Sequence, residues 1–241
     1  MSPWHDIPLR PHGENRSNVF NFVNEISKGT RAKMEIAGEE AHNPIKQDVK
    51  KGNLRFYHFD SLVNYGCIPQ TWEDPAHIDP ATQHCLGDND PIDVCEIGSR
   101  VASVGDVYPV KVLGVLGMID DGETDWKVIA IATDDPLAAQ LHDLDDLQKH
   151  APATVAAIRD WFRDYKIPDG KPPSAFAFDG HAKPRVRREG PSRCNHASVG
   201  FRHPSHRADP CVLEAARPRD QSHQTVDGYQ VIGNTQRPRH P

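Results

Sequence analysis

The segment Asp88-Asn89-Asp90-Pro91-Ile92-Asp93-Val94 places three carboxylates within six positions, behind Gly87 and pinned by a proline. A second run, Asp120-Asp121-Gly122-Glu123-Thr124-Asp125-Trp126-Lys127, adds four more acids and ends on a lysine. Both lead into apolar, strand-like stretches, Val94-Cys95-Glu96-Ile97 and Trp126-Lys127-Val128-Ile129-Ala130-Ile131. Acids this dense repel one another unless water solvates them or a hard cation neutralises them. Carboxylates at the ends of buried strands favour the cation over a solvated loop. Magnesium binds through a few carboxylates, waters and phosphate oxygens, so a multi-Mg2+ phosphate site is the direct chemical reading.

The 241 residues suit one domain, or one domain and a tail. The net charge of −6 conceals a split: residues 1–183 carry 29 acids against 18 Lys and Arg, whereas residues 184–241 carry 5 acids against 10 arginines. An acidic body argues against nonspecific nucleic-acid binding and suits a protein that gathers divalent cations. No apolar run approaches the ~20 residues of a membrane helix, and nothing resembles a signal peptide. The five cysteines form no CxxC pair, which fits reduced thiols in the cytoplasm. The fourteen histidines form no HxxxH or HxH pair, so a histidine metal site is not expected.

Alternation predicts strands over 19–26 and 32–36, joined by the turn Ser27-Lys28-Gly29-Thr30, and a third over 54–59. The longest strand region is 101–118, broken by a hairpin signal at Gly105-Asp106 and by bends or bulges at Gly114 and Gly117. A buried strand follows over 126–133. Leu137, Leu141, Leu144 and Leu147 then recur at helical spacing. Val155, Ile158, Trp161, Phe162 and Tyr165 outline a second helix, which Pro168-Asp169-Gly170 ends. Trp161 and Phe162 read as core. Strands first and helices after imply an α+β protein around a closed or strongly curved sheet.

Past Lys183 the pattern fails. The last 58 residues hold no lysine, seven prolines and five histidines. The expectation is a segment read out of frame or, failing that, a disordered basic tail; its arginines alternate with prolines without aromatic interleaving, which counts against nucleic-acid binding.

The acidic runs, together with Asn64-Tyr65-Gly66, Pro69-Gln70-Thr71-Trp72-Glu73-Asp74-Pro75 and Tyr165-Lys166-Ile167-Pro168-Asp169-Gly170-Lys171-Pro172, resemble the soluble family I inorganic pyrophosphatases of eukaryotic type. The similarity runs from about Trp4 to about Lys183. It implies a five-stranded, OB-like β-barrel with flanking helices, Mg2+-dependent hydrolysis of diphosphate (Mn2+ is an alternative metal), a cytoplasmic setting and a homodimer. By resemblance, Asp88, Asp93 and Asp125 bind the activating metal, and Asp93 reaches a second. Asp120 with Asp125 holds a substrate-bound metal, and Glu35 helps with another. Asp90 takes the proton of the attacking water. Lys33, Arg55, Lys127, Tyr165 and Lys166 match phosphate-binding positions, while Glu25 and Tyr65 match site-lining ones.

Against that family the chain is expected to lack N-terminal strands. The loop between Arg55 and Tyr65 is about five residues short, leaving one phosphate-side tyrosine without a counterpart. The helix expected after Lys183 is replaced by the arginine-rich segment. The alternative expectation is accordingly a truncated, catalytically impaired member that acts only as a binding or assembly partner.

Overall fold

The structure, a computed structural model, describes residues 1–185. Five strands make the frame: β1 (Val19–Ile26), β2 (Asn64–Cys67), β3 (Asp93–Glu96), β4 (Val107–Asp120) and β5 (Glu123–Ala132). They pair in the order β4–β1–β2–β3–β5, and β5 pairs back onto β4, so the ring closes. Only the β3–β5 pairing is parallel. This is the closed sheet that the strand pattern predicts and the OB-like barrel that the resemblance implies. Closure leaves the ring without the open edges that invite pairing with other chains.

Side-chain alternation on these strands sorts two cores. Trp126, Val128 and Ala130 of β5 join Phe20, Phe22, Val94 and Val110 in the barrel interior. Ile129 and Ile131 belong to the outer layer with Cys95, Leu116 and Met118, covered by Leu147, Ile158 and Phe162. Two helices supply that cover, α1 (Leu144–His150) and α2 (Thr154–Asp164). The outer face of β5 is thus apolar at Ile129 and Ile131 and turns polar at Lys127 and Asp125. There the helices give way to the functional site.

Several expected boundaries differ. The strand at 19–26 forms as read, but that at 32–36 shortens to Met34–Ile36. In place of a strand over 54–59 only Asn53–Leu54 pairs, with Val49–Lys50, and Phe56 makes a lone bridge to Ala32. Phe56 and Phe59 are exposed, so their alternation had no core to face. β4 starts at Val107 because Gly105, at φ +84°, turns the chain before the strand rather than inside a hairpin. The register slips between Val112 and Gly114, as expected, but runs unbroken through Gly117. Leu137 and Leu141 precede α1 and are not helical; their period reported burial on the outer core. Asp143 starts the helix instead, its side chain accepting the Asp146 N–H at 3.0 Å. Phe162 is core, as read, whereas Trp161 sits at the core's rim, its indole N–H donating to the Asp60 carbonyl at 3.0 Å. Lys183–Pro184 pairs with β4. The expectations for the arginine-rich segment beyond Arg185 lie outside the described residues.

Gly66 on β2 permits the ring to close where the site is built. A Cβ there would lie 1.9 Å from the Val23 carbonyl oxygen and 2.9 Å from the Glu25 nitrogen. Gly66→Ala is therefore expected to cost about 3 kcal/mol or more, because the obstacle is backbone and cannot rotate away. Thermal unfolding followed by circular dichroism measures it; an unchanged Tm would contradict the tight β1–β2 approach.

Candidate active site

The site begins with strand register. Asp125 and Lys127 lie two apart on β5 and share its outward face, and Lys127 pairs directly with Asp93 across the parallel β3–β5 ladder. Tyr65 stands one strand further, on β2. The Lys127 ammonium donates to Asp93 Oδ2 at 2.6 Å, to both Asp125 oxygens at 2.5 Å and to the Tyr65 hydroxyl at 2.8 Å, and the Tyr65 hydroxyl in turn donates to Asp93. Lys127 is 3 % exposed and Asp125 6 %. Burial alone would depress the Lys127 pKa, but Asp125 and Asp93 outweigh it and hold the ammonium well above its usual range.

A loop then delivers more acid. Gly87 lies flat against the 73–74 backbone, where a Cβ would approach the Glu73 carbonyl to 2.5 Å. The Glu73 N–H donates to the Asp90 carbonyl at 2.9 Å, and the Asn89 N–H donates back to the Glu73 carbonyl at 3.0 Å. Asp88 caps the turn by accepting the Asp90 N–H at 3.0 Å. As a result, one carboxylate oxygen from each of Glu73, Asp88 and Asp125 lies within 4.8 Å of the other two.

Glu73, within the Pro69–Pro75 motif, is an acid whose place in the site the sequence does not reveal. It is 1 % exposed, and its Oε1 accepts the Trp126 N–H at 3.0 Å. Its Oε2 is buried without a hydrogen-bond partner. A buried carboxylate with one orphaned oxygen, clustered with two other acids, offers a donor set for a hard divalent cation. Asp93, expected beside Asp88 and Asp125, is hydrogen-bonded to Lys127 and Tyr65, as Asp125 is to Lys127; Glu73 joins these acids as a further carboxylate of the centre.

Electrostatic strain follows from this crowding. Burial, then Asp125, Asp93 and Asp90, push Asp88 up to about 9. Burial and Asp93 push Asp125 to about 7 against the pull of Lys127. Burial, Asp93 and Glu35 push Asp90 to about 6. Burial raises Glu73 and Glu25 well above the carboxylate range, with Asp88 and Asp93 respectively as the next cause. Each shift states that the folded chain would rather hold a proton, or another cation, than bare charge.

Two cationic flanks face this centre. On one side Lys33 binds Glu35 and also Asp48 Oδ2 at 3.1 Å, and Arg55 binds the same Asp48. Asp48, which sequence reasoning passed over, thus ties the two cations together. Glu25 sits at a bulge in β1, where the β1–β2 register shifts between Asn24 and Ile26, and accepts the Ile36 N–H at 2.8 Å. On the other side the Tyr165 hydroxyl and the Lys166 ammonium, just past α2, converge on Asp120 Oδ2 at 2.9 and 2.5 Å. Asp120 and Asp125 feel each other's charge, as do Asp90, Lys33 and Lys127. The structure therefore brings the sequence-derived residues to one outer face of the barrel, with Arg55 and Glu35 at its rim.

Known proteins place this arrangement. Residues 22–188 match the family model described as inorganic pyrophosphatase. The chain is 54 % identical over 178 residues to the soluble inorganic pyrophosphatase 6, chloroplastic, of Arabidopsis thaliana, covering 74 % of this chain and 58 % of that protein. It is 53 % identical over 201 residues to the mitochondrial inorganic pyrophosphatase 2 of Mus musculus, covering 76 % and 61 %. The fold matches a solved N-terminally truncated vacuolar soluble pyrophosphatase of Trypanosoma cruzi in complex with PPi, with a TM-score of 0.72 and 50 % identity over 76 % of this chain and 72 % of that one. The chain spans about three fifths of the length of these two curated relatives. Identity of this level over a matching barrel settles descent: the chain belongs to the inorganic pyrophosphatase family, in its soluble family I branch of eukaryotic type.

Proposed function

We propose that this chain hydrolyses inorganic diphosphate to two phosphates with divalent cations, Mg2+ foremost and Mn2+ as an alternative. The observation that carries the reading is the Glu73–Asp88–Asp125 triplet with its orphaned oxygen, set beside Lys127 and between two cationic flanks. Asp88 and Asp125, with Glu73, are the residues to hold the first cation. Asp93, Asp120 and Glu35 stand around that centre for further ions. Bound cations would neutralise substrate oxygens and acidify a coordinated water.

The chain's own groups do the rest. Asp90, close to neutral in its pKa and reaching solvent, takes the proton of the attacking water. Lys33, Arg55, Lys127 and Lys166 neutralise phosphate oxygens, Arg55 by a bidentate fork and the lysines as point charges. Tyr165 and Tyr65 hold acids in place through their hydroxyls, and Glu25 lines the wall. Charge stabilisation and positioning supply most of the rate in phosphoryl transfer, and this site is built for both.

Relatives include proteins named as chloroplastic, mitochondrial and vacuolar. The cytoplasmic setting and the homodimer stay part of the proposal. Cys67, Cys85 and Cys95 carry free thiols, which fits a reducing compartment. Among the described residues no helix is long and apolar enough to cross a membrane. With the barrel closed and the carboxylates assembled, nothing in residues 1–185 favours the impaired-partner alternative. Phosphorus NMR tests the reading: with Mg2+ the diphosphate signal should convert wholly to orthophosphate, and a persistent diphosphate signal would overturn it.

A further inference from the structure

Tyr57 takes no part in the scheme above, yet its surroundings are those of a ligand-binding group. Its N–H donates to the Arg31 carbonyl at 2.7 Å, and its neighbour Phe56 bridges Ala32 and turns outward into solvent. Alternation sends Tyr57 the other way, over the site. Its ring packs edge-on against Trp161, with centroids 4.9 Å apart at 83°, and against Tyr165, 5.9 Å apart at 68°.

The short loop that carries Tyr57 is fastened to α2 and to the turn that follows it. His58 Nε2 is hydrogen-bonded to Asp169 Oδ1 at 2.8 Å, and the Trp161 indole N–H donates to the Asp60 carbonyl. Ring packing and these ties fix where the phenol points. The charged groups it meets come from every side of the site: Lys33, Lys127, Asp93 and Glu25. The other two tyrosines of the cleft spend their hydroxyls on acids, Tyr65 on Asp93 and Tyr165 on Asp120. Among the described residues the Tyr57 hydroxyl has no such acceptor.

We infer that Tyr57 is a substrate-binding residue, its hydroxyl donating to a phosphate oxygen of diphosphate held between Lys33 and Lys127. The inference rests on the hydrolase reading and deepens it. A neutral donor suits the position, because it binds an anionic oxygen without adding charge to a crowded acidic centre.

Tyr57→Phe keeps the ring contacts and removes only the hydroxyl. The contact exists in bound substrate and in the transition state, so KM should rise more than kcat falls, and kcat/KM should drop about tenfold. The affinity of the Mg2+-loaded protein for imidodiphosphate, a non-hydrolysable analogue, should weaken by a similar factor. Tm should stay at the wild-type value, whereas Tyr57→Leu, which removes the ring, should lower it. A Tyr57→Phe protein with wild-type KM and wild-type imidodiphosphate affinity would overturn the inference and make Tyr57 a packing residue. Wild-type protein that binds imidodiphosphate without turning diphosphate over would refute the hydrolase reading while the affinity comparison still decides Tyr57. Wild-type protein that does neither would refute both.

Discussion

Asp90→Asn is expected to reduce Mg2+-dependent phosphate release by about two to four orders of magnitude, the range typical of removing a general base. Asp90 is a cleft acid that reaches solvent and has a pKa of about 6, raised by burial and by Asp93 and Glu35 and checked by Lys33 and Lys127. A carboxylate tuned there is ionised in neutral solution and still basic enough to accept a proton. Asparagine keeps the shape and the Asp88-capped turn, whose hydrogen bond uses the residue's backbone N–H. It also removes one charge from a repelling group, so Tm should hold or rise, and Mg2+ affinity measured by calorimetry should persist. Loss of rate with retained fold and metal binding is the signature of the base. Wild-type rates in the variant would assign proton removal elsewhere.

The second large effect links stability to pH and metal. In ordinary peptides an aspartate titrates near 3.9. In the folded chain without metal, Asp125 titrates at about 7 and Asp88 at about 9. Between pH 4 and those values the folded state keeps protons that the unfolded state has released. Unfolding then releases protons, so stability must fall as pH rises from about 5 to 9. Carboxylates shifted the other way, such as Asp121 at about 2 between Lys166 and Lys171, titrate below that window and leave it clear.

Mg2+ competes with the same protons. At pH 8 and ~100-fold over its Kd it should add about 2.7 kcal/mol, a rise of roughly 5–10 °C in Tm for a domain of this size. At pH 5, where protons already occupy Asp88 and Asp125, the gain should shrink sharply. Asp88→Asn should flatten both dependences. Thermal melts across pH, with chelator and with Mg2+, provide the check. A Tm of the chelated protein that climbs through pH 5–9, or a Mg2+ effect equal at pH 5 and 8, would contradict the assembled site.

What the sequence could reveal follows from how local each feature is. The Val19–Ile26 strand was readable to its ends because all eight residues are buried and continuous. Asp93 and Asp125 were readable as members of one site because each stands where an apolar strand begins. Glu73 was not, since its place depends on a contact fourteen residues on, where Gly87 and Asp88 fold against its backbone. The available hint was a glycine immediately ahead of the acidic run. Asp48 was equally silent: one acid between Gln47 and Val49 says nothing about a lysine and an arginine that both reach it. The leucine period over 137–147 misled because a turn packed on the outer core buries the same residues a helix would. Tyr57 was hidden by its loop, where apolar alternation suggested a strand and the inward turn of one ring depends on α2.

The central claim is that buried carboxylates on the outer face of this barrel hold cations that drive diphosphate hydrolysis. Initial rates of phosphate release from diphosphate by the full-length chain, titrated with Mg2+ from excess chelator upward, test it most directly. The account predicts no release in chelator and a rate that rises with Mg2+ to saturation. A rate that is independent of Mg2+, or absent at every Mg2+ concentration from folded protein, would contradict it.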